Sequence, residues 1–378
     1  MKIIILGGDG FCGWPSALYL SNKGCDIVIC DNFSRRAIGN FLISDSLTPI
    51  SRIETRLECW RDKRGKKIKF KQINIAKEYN QTLLLLKREK PDAIIHFAEQ
   101  RSAPYSMKSG ETRRYTVDNN INATHNVLSA IVDSGLDIHL IHLGTMGVYG
   151  YEIYGYNGIA SEGYIDFEGR KSLYPSDPGS IYHTTKVMDQ WLFYFYNKNY
   201  GVRITDLHQG VVWGTQTDET VLDERLINRF DYDGDFGTVL NRFLMQAAVG
   251  YPLTIYGTGK QTRAFIHIED TIECIRLALE NPPQKGEMVK IANQFTEIYR
   301  LKDLAEIICK MTGATRQFCD NPRKETEDNI LNADNKNIKE WGLNPITLQE
   351  GLMREIIEIA QKYKDRCDIS KIMPSSFW

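Results

Sequence analysis

The sequence carries almost no net charge. Its 47 Lys and Arg residues against 48 Asp and Glu leave −1. No global field draws such a chain to nucleic acid or to an anionic membrane surface. It also lacks any apolar run near the ~20 residues that a membrane-spanning helix needs. Neither a nucleic-acid nor a membrane partner is expected. The eight cysteines form no C-x-x-C pair and have no histidines at metal-ligand spacing, so no metal is expected either. Several, as in DIVIC and EIIC, stand in apolar contexts where Cys is simply a small core residue. The apolar run in MKIIILGGDG is too short for a signal peptide, and neither a signal nor a transit segment is expected. A cytoplasmic protein with free thiols is the expectation. Internal repeats and low-complexity tracts are absent, and the basic cluster RDKRGKKIK (61–69) reads as a solvated insertion.

What is present is alternation. KIIIL (2–6), DIVIC (26–30), DAIIHF (92–97) and IHLIHL (138–143) are continuous apolar runs, the mark of parallel strands covered on both faces. Helix-like stretches, PSALYLSNKG (15–24) and NATHNVLSAIVDSG (122–135), lie between them, each ending in glycine. The pattern predicts an α/β fold, a doubly wound parallel sheet of the Rossmann kind. Residues 1–214 would form the nucleotide-binding domain, with insertions near 34–69 and 152–178. Residues 215–378 would mainly form a smaller α/β substrate domain, with some segments returning to the first.

The segment GGDGFCG sets Gly7, Gly10 and Gly13 between the first strand and a helix, with Phe11 and Cys12 inside the loop. Glycines there let backbone N–H groups approach a pyrophosphate at a helix N-terminus. The second strand ends in Asp31-Asn32, where a carboxylate accepts from the adenosine ribose and favours NAD over NADP. Arg35 and Arg36 follow and could instead grip a 2′-phosphate, although Asp31 would repel it. NAD is the expected cofactor. At IYHTTK, Tyr182 and Lys186 stand one helical turn apart on one face. A phenol with a pKa of about 10 is a poor base at neutral pH, and an adjacent ammonium favours the phenolate.

Together with Thr145 after the strand HLIHL and Asn119-Asn120 upstream, these residues resemble the extended short-chain dehydrogenase/reductases that act on nucleotide sugars. HFAEQRSAPYSM (96–107), GTMGVYG (144–150), HQGVVWGTQTDET (208–220) and NQFTE (293–297) are similar to the members of that branch that make a sulfonated sugar from UDP-glucose and sulfite. The resemblance implies NAD-dependent oxidation at C4, loss of water across C5–C6, sulfite addition at C6 and re-reduction at C4. It implies cofactor contacts from the glycine loop, Asp31, Asn32, Arg35, Arg36, Arg101, Asn119, Tyr182 and Lys186. Substrate contacts would come from Arg101, Thr145, Gln209, Thr254, Tyr256, Gln261, Arg263, Arg323 and Glu327. Guanidinium forks suit a diphosphate. A homodimer or higher homo-oligomer is expected by analogy.

Dehydratases of this kind carry acidic residues just after the threonine, and here Met146 and Gly147 stand there. His183 is the expected replacement acid/base, since imidazole ordinarily titrates near working pH. Met146 would wall off C6, and Val148 stands where plant members carry Glu. A UDP-glucose 4-epimerase would need the same Thr145, Tyr182 and Lys186 but no sulfite. A non-catalytic NAD-binding sensor on this fold would be expected to lose Tyr182 or Lys186, and both are kept.

Overall fold

A computed structural model describes residues 1–42, 44–150, 162–325, 329–374 and 376–378. The apolar runs form strands β1 (Lys2–Leu6), β2 (Asp26–Asp31), β3 (Lys69–Gln72), β4 (Ala93–His96) and β5 (His139–Leu143). A hairpin of β6 (Tyr164–Phe167) and β7 (Arg170–Leu173) precedes β8 (Arg203–Gln209). With the later strand Lys290–Gln294, seven parallel strands line up as 290–294, β8, β5, β4, β1, β2, β3. Ile3, Ile4 and Ile5 are all fully buried because helices cover both faces. Ile3 and Ile5 join one core cluster, while Ile4 and Leu6 join the other. The chain runs outward from β1 to β2 and β3 and restarts on the other side at β4. That reversal opens a crevice at the carboxyl ends of the strands, where ligands bind in such sheets.

The covering helices are α1 (Gly13–Asn22), α2 (Ser34–Leu42), α3 (Ile53–Arg64), α4 (Tyr79–Glu89), α5 (Ala103–Met107), α6 (Gly110–Ser134) and α7 (Ile181–Tyr200). Helix α6 starts well before the expected position 122, because Ser109 and Thr112 form a reciprocal capping box ahead of it. The first insertion is less solvated than its charge suggests. It folds into α2 and α3 and buries Trp60 and Arg56, while Lys66 donates to the Ser21 and Asn22 carbonyls at the end of α1. Of the second insertion, residues 151–161 lie outside the described residues, and the rest contributes the β6–β7 hairpin.

Past β8 two smaller sheets form, the first of their strands lying just ahead of the expected boundary at 214. Leu253–Tyr256 pairs with Arg316–Cys319, and Thr262–His267 lies between Val211–Trp213 and Glu297–Arg300. They share a core with the helices Val239–Ala248, Leu301–Thr312 and Glu350–Lys362. Lys290–Gln294 returns to the main sheet beside β8, so the two halves are joined by a shared sheet edge as well as by the chain.

The two halves are also riveted by charge. Arg56, fully buried, lies 2.8 Å from Asp9, stacks 3.8 Å over Trp14 and donates to the Ile227 carbonyl. Removing one partner of a buried pair is strongly destabilising. Arg56→Ala is expected to lower unfolding free energy by about 3 kcal/mol in urea titrations, because Arg36 still balances Asp9.

Candidate active site

The glycine loop fits a pyrophosphate because its backbone is bare where side chains cannot go. Gly7 has φ +81°, and a Cβ there would lie 2.7 Å from the Phe97 carbonyl carbon. A Cβ on Gly13 would meet the Gly7 oxygen at 2.2 Å. Cys12 caps α1 without a side-chain hydrogen bond, and no acid stands in its first turn, which favours an incoming anion. The buried Cys12 thiol is pushed up to about 11 and stays neutral. Gly10, Phe11, Asn32 and Asn119 line the same cleft.

Asp31 lines the same cleft beyond the glycine loop. Its carboxylate accepts from the Asp9 and Phe33 N–H groups at 2.9 and 2.7 Å, and burial beside Asp9 raises it to about 6. The two arginines that follow are both committed. Arg36 donates twice to Asp9, at 2.6 and 2.8 Å, while Arg35 pairs with Asp231 at 2.8 Å and stacks on Phe236. Asp231 also holds Arg101 at 2.6 Å and Arg229 at 3.2 Å. Burial opposes its charge, but the three guanidiniums keep it well below the usual carboxylate range. With Arg35 and Arg36 so neutralised, the adenosine end suits a ribose hydroxyl better than a phosphate. Asp9 and Asp231 were not legible in the sequence, since an acid in a glycine loop and one in a charged stretch carry no mark of their partners.

The cofactor cleft runs into a second cleft toward the carboxyl-terminal half, and Arg101, Tyr182, Gln209 and Phe236 line both. Farther out stand Tyr256, Arg263 and Arg323, as the sequence suggested, joined by Arg242 and Trp378, which it did not. Arg242 donates to the Tyr256 hydroxyl at 2.6 Å. Arg263 pairs with Glu325 at 2.5 Å, and Arg323 lies 5.7 Å over the Trp378 ring. Thr254 and Gln261 do not line this cleft. Thr254 is fully buried under Gln246, and Gln261 donates to the Tyr256 carbonyl. Glu327 lies outside the described residues.

Thr145, Tyr182, His183 and Lys186 converge between the two clefts. Thr145 caps the short turn Met146–Tyr149 by accepting from the Gly147 N–H at 3.1 Å, and it hydrogen-bonds Tyr182. Ser180 starts α7 by accepting from the His183 N–H, which sets Tyr182 and Lys186 on its inner face. His183 Nδ1 lies 3.1 Å from the Ser180 hydroxyl. Burial pushes the imidazole down to about 3, and Arg323 and Arg263 add to the effect. It is therefore neutral across working pH, not poised to titrate there as expected from its residue type.

The ring of His183 occupies the space above Gly147, where a Cβ would fall 2.3 Å from its Cδ2. The missing acid at that position thus has a steric reason: the imidazole stands where the side chain would go. Met146 lines an adjoining pocket with His183, while Val148 packs into an apolar cluster with Tyr149 and Phe295 and lines none of the clefts described. Beneath Tyr182, Lys186 is buried against Glu99 at 2.8 Å, His142 Nε2 at 3.0 Å and the Leu143 carbonyl at 2.8 Å. Glu99 and His142 are site residues the sequence does not mark: His142 lies in an apolar strand that reads as core, and Glu99 follows β4 with nothing local to pair it with Lys186.

Residues 3–292 match the model of the NAD dependent epimerase/dehydratase family. Over its whole length the chain is 43% identical to the chloroplastic UDP-sulfoquinovose synthase of Spinacia oleracea, of which it covers 79%. It is 38% identical over its whole length to the UDP-sulfoquinovose synthase of Sulfolobus acidocaldarius, covering 98% of that protein. In fold it is similar to the UDP-glucose 4-epimerase of Thermotoga maritima, solved with UDP-glucose (TM-score 0.72, 19% identity, 96% of this chain and 99% of that one). The UDP-glucuronic acid 4-epimerase of Bacillus cereus, in complex with UDP-glucuronic acid and NAD, is comparably similar (TM-score 0.71, 22% identity, the same coverage of both).

Asp31 carries a prediction. Below pH of about 6 its carboxyl is neutral and loses its charge-assisted acceptor strength. Calorimetric titration should find NAD binding weakening about fivefold as pH falls from 7 to 5. Asp31→Asn should bind weakly throughout, with that pH dependence gone.

Proposed function

Because the chain belongs to the NAD dependent epimerase/dehydratase family, we propose that it converts UDP-glucose and sulfite to UDP-sulfoquinovose. The observation that carries this reading is the whole-chain similarity to two UDP-sulfoquinovose synthases, at 43% and 38% identity. The neutral His183 seated on Gly147 supports it, because a side chain at position 147 is excluded.

The glycine loop, Asp31, Asn119 and Lys186 would hold the cofactor, and NAD supplies a hydride acceptor and donor at C4. Tyr182 takes the O4 proton as C4 is oxidised and returns it when C4 is reduced, with Thr145 holding the same oxygen. The 4-ketone acidifies C5–H. The C5 proton and the C6 hydroxyl then leave as water and a C5–C6 enone remains, with the neutral His183 ring facing the sugar cleft where this happens. The sulfur lone pair of sulfite forms the new bond to C6, and C5 regains a proton. UDP-glucose and hydrogen sulfite thus give UDP-sulfoquinovose and water. Arg263, Arg323 and Arg242 supply the cationic wall that a diphosphate needs, and Arg101 bridges the two clefts where sulfite would be drawn.

Two further readings belong here. Met188, Trp191 and Phe195 expose a helical stripe on α7, at 41, 59 and 51% of their surface. We place the partner face of a homodimer on this stripe. The eight unpaired cysteines suit a reducing compartment, which supports a cytoplasmic site of action.

Mass spectrometry of products from UDP-glucose with and without sulfite tests the reaction. A sulfonated nucleotide sugar formed only with sulfite is the expected result, whereas UDP-galactose formed regardless of sulfite would make the protein an epimerase. Gly147→Ala should displace His183 and cut sulfonated product about a hundredfold, while the burst of C4 oxidation persists. The double substitution Trp191→Glu with Phe195→Glu should halve the mass seen by light scattering and leave NAD content unchanged.

A further inference from the structure

Lys186 is conventionally useful to a neighbouring tyrosine as a positive charge, yet here its charge is already answered. Its ammonium is almost wholly buried, and Glu99, itself buried, lies 2.8 Å away. Around Glu99 gather His142 Nε2 at 3.0 Å, His96 Nε2 at 3.5 Å and the Thr124 hydroxyl at 3.3 Å. Behind them His142 Nδ1 meets Asp206 at 2.8 Å, and Asp206 meets His208 at 3.0 Å. Asp189, fully buried on α7, lies 3.7 Å from His142.

The charges in this floor balance locally. Burial works against the Glu99 carboxylate, but Lys186 and His142 hold it well below its usual range. Burial opposes Lys186 as well, yet Glu99 holds it well above. Against burial and the Lys186 charge, Asp206 and Glu99 keep His142 up at about 9. Burial, together with the Glu99 charge, pushes Asp189 far up, so it adds no charge, and burial takes His96 down to about 3. Tyr182, facing Lys186, Glu99, Arg101 and Thr145 with the His183 ring 5.2 Å away, is raised by burial. Lys186 and Thr145 pull it back, and Glu99 pushes it up again.

We propose that Glu99 is a positioning residue that cancels the charge of Lys186, so that Tyr182 releases its proton only beside the positively charged oxidised nicotinamide and keeps it while that ring is neutral. The inference rests on the reading of Tyr182 as the proton carrier at C4. In that reaction water leaves and sulfite enters between the two hydride steps. Tyr182 must hold the O4 proton through the whole interval. An uncompensated ammonium would favour the phenolate throughout and strip the proton that the last step needs. Glu99 reserves the switching charge for the cofactor.

The test follows the ultraviolet tyrosinate band of Tyr182 against pH, in protein loaded with NAD+ or with NADH, using Tyr182→Phe as the blank. No sugar or sulfite is present, so the result stands apart from the identity of the product. In the parent protein the midpoint should lie about two pH units lower with NAD+ than with NADH, and above neutrality with NADH. Glu99→Gln should lower both midpoints by a similar amount, and Glu99→Asp should restore them. A parent midpoint at or below neutrality with NADH would overturn the proposal, even if Glu99→Gln fails to fold. Midpoints unmoved by Glu99→Gln would overturn it too. Should the titration behave as expected while no sulfonated sugar forms, the reaction assignment fails and the role of Glu99 remains.

Discussion

An ammonium without water needs partners, and the removal of Lys186 from solvent imposes much of the order beneath the reacting residues. Lys186 Nζ donates to the Leu143 carbonyl at the end of β5 and lies against the Glu99 carboxylate from the loop after β4, with His142 of β5 close beside them. Each partner brings its own: Glu99 draws Thr124 from α6, His142 draws Asp206 from β8, and Asp206 draws His208. Buried ion pairs are a weak source of stability, because desolvation offsets most of their attraction. What such a chain provides is placement. Half a turn of slip in α7 would carry Lys186 away from Glu99 and separate a buried ammonium from its carboxylate, so Tyr182 is held where Lys186 is held.

The same logic joins the two halves of the protein. Asp9 and Asp231 each collect arginines from distant parts of the chain: Arg36 and Arg56 on one, Arg35, Arg101 and Arg229 on the other. These clusters tie the segment around residues 227–236 to the cofactor cleft, and they quench the cations that would otherwise suit a 2′-phosphate. Cofactor preference and domain attachment thus rest on the same bonds.

On the proposed reaction, His183 and Gly147 would be the pair that stands where related sites hold an acid. An imidazole on α7 fills the volume above a glycine in the turn after β5. Neither residue is unusual alone. Together they set a neutral ring where a side chain at position 147 would go, next to arginines that further disfavour its protonation.

Continuous apolar runs could only be strands buried on both faces, so the doubly wound sheet, the glycine loop, Asp31 and the Tyr182–Lys186 pair were all legible in order along the chain. Those features are local: a turn, a strand end or one helical repeat determines them. Tertiary structure alone decided the charge state of the site. Whether His183 titrates, whether Arg35 is free and whether Lys186 is compensated depend on burial and on residues far away in sequence, such as Asp231 and Glu99. Electrostatic energy depends on distance and desolvation in space, and a linear sequence encodes neither until it has folded.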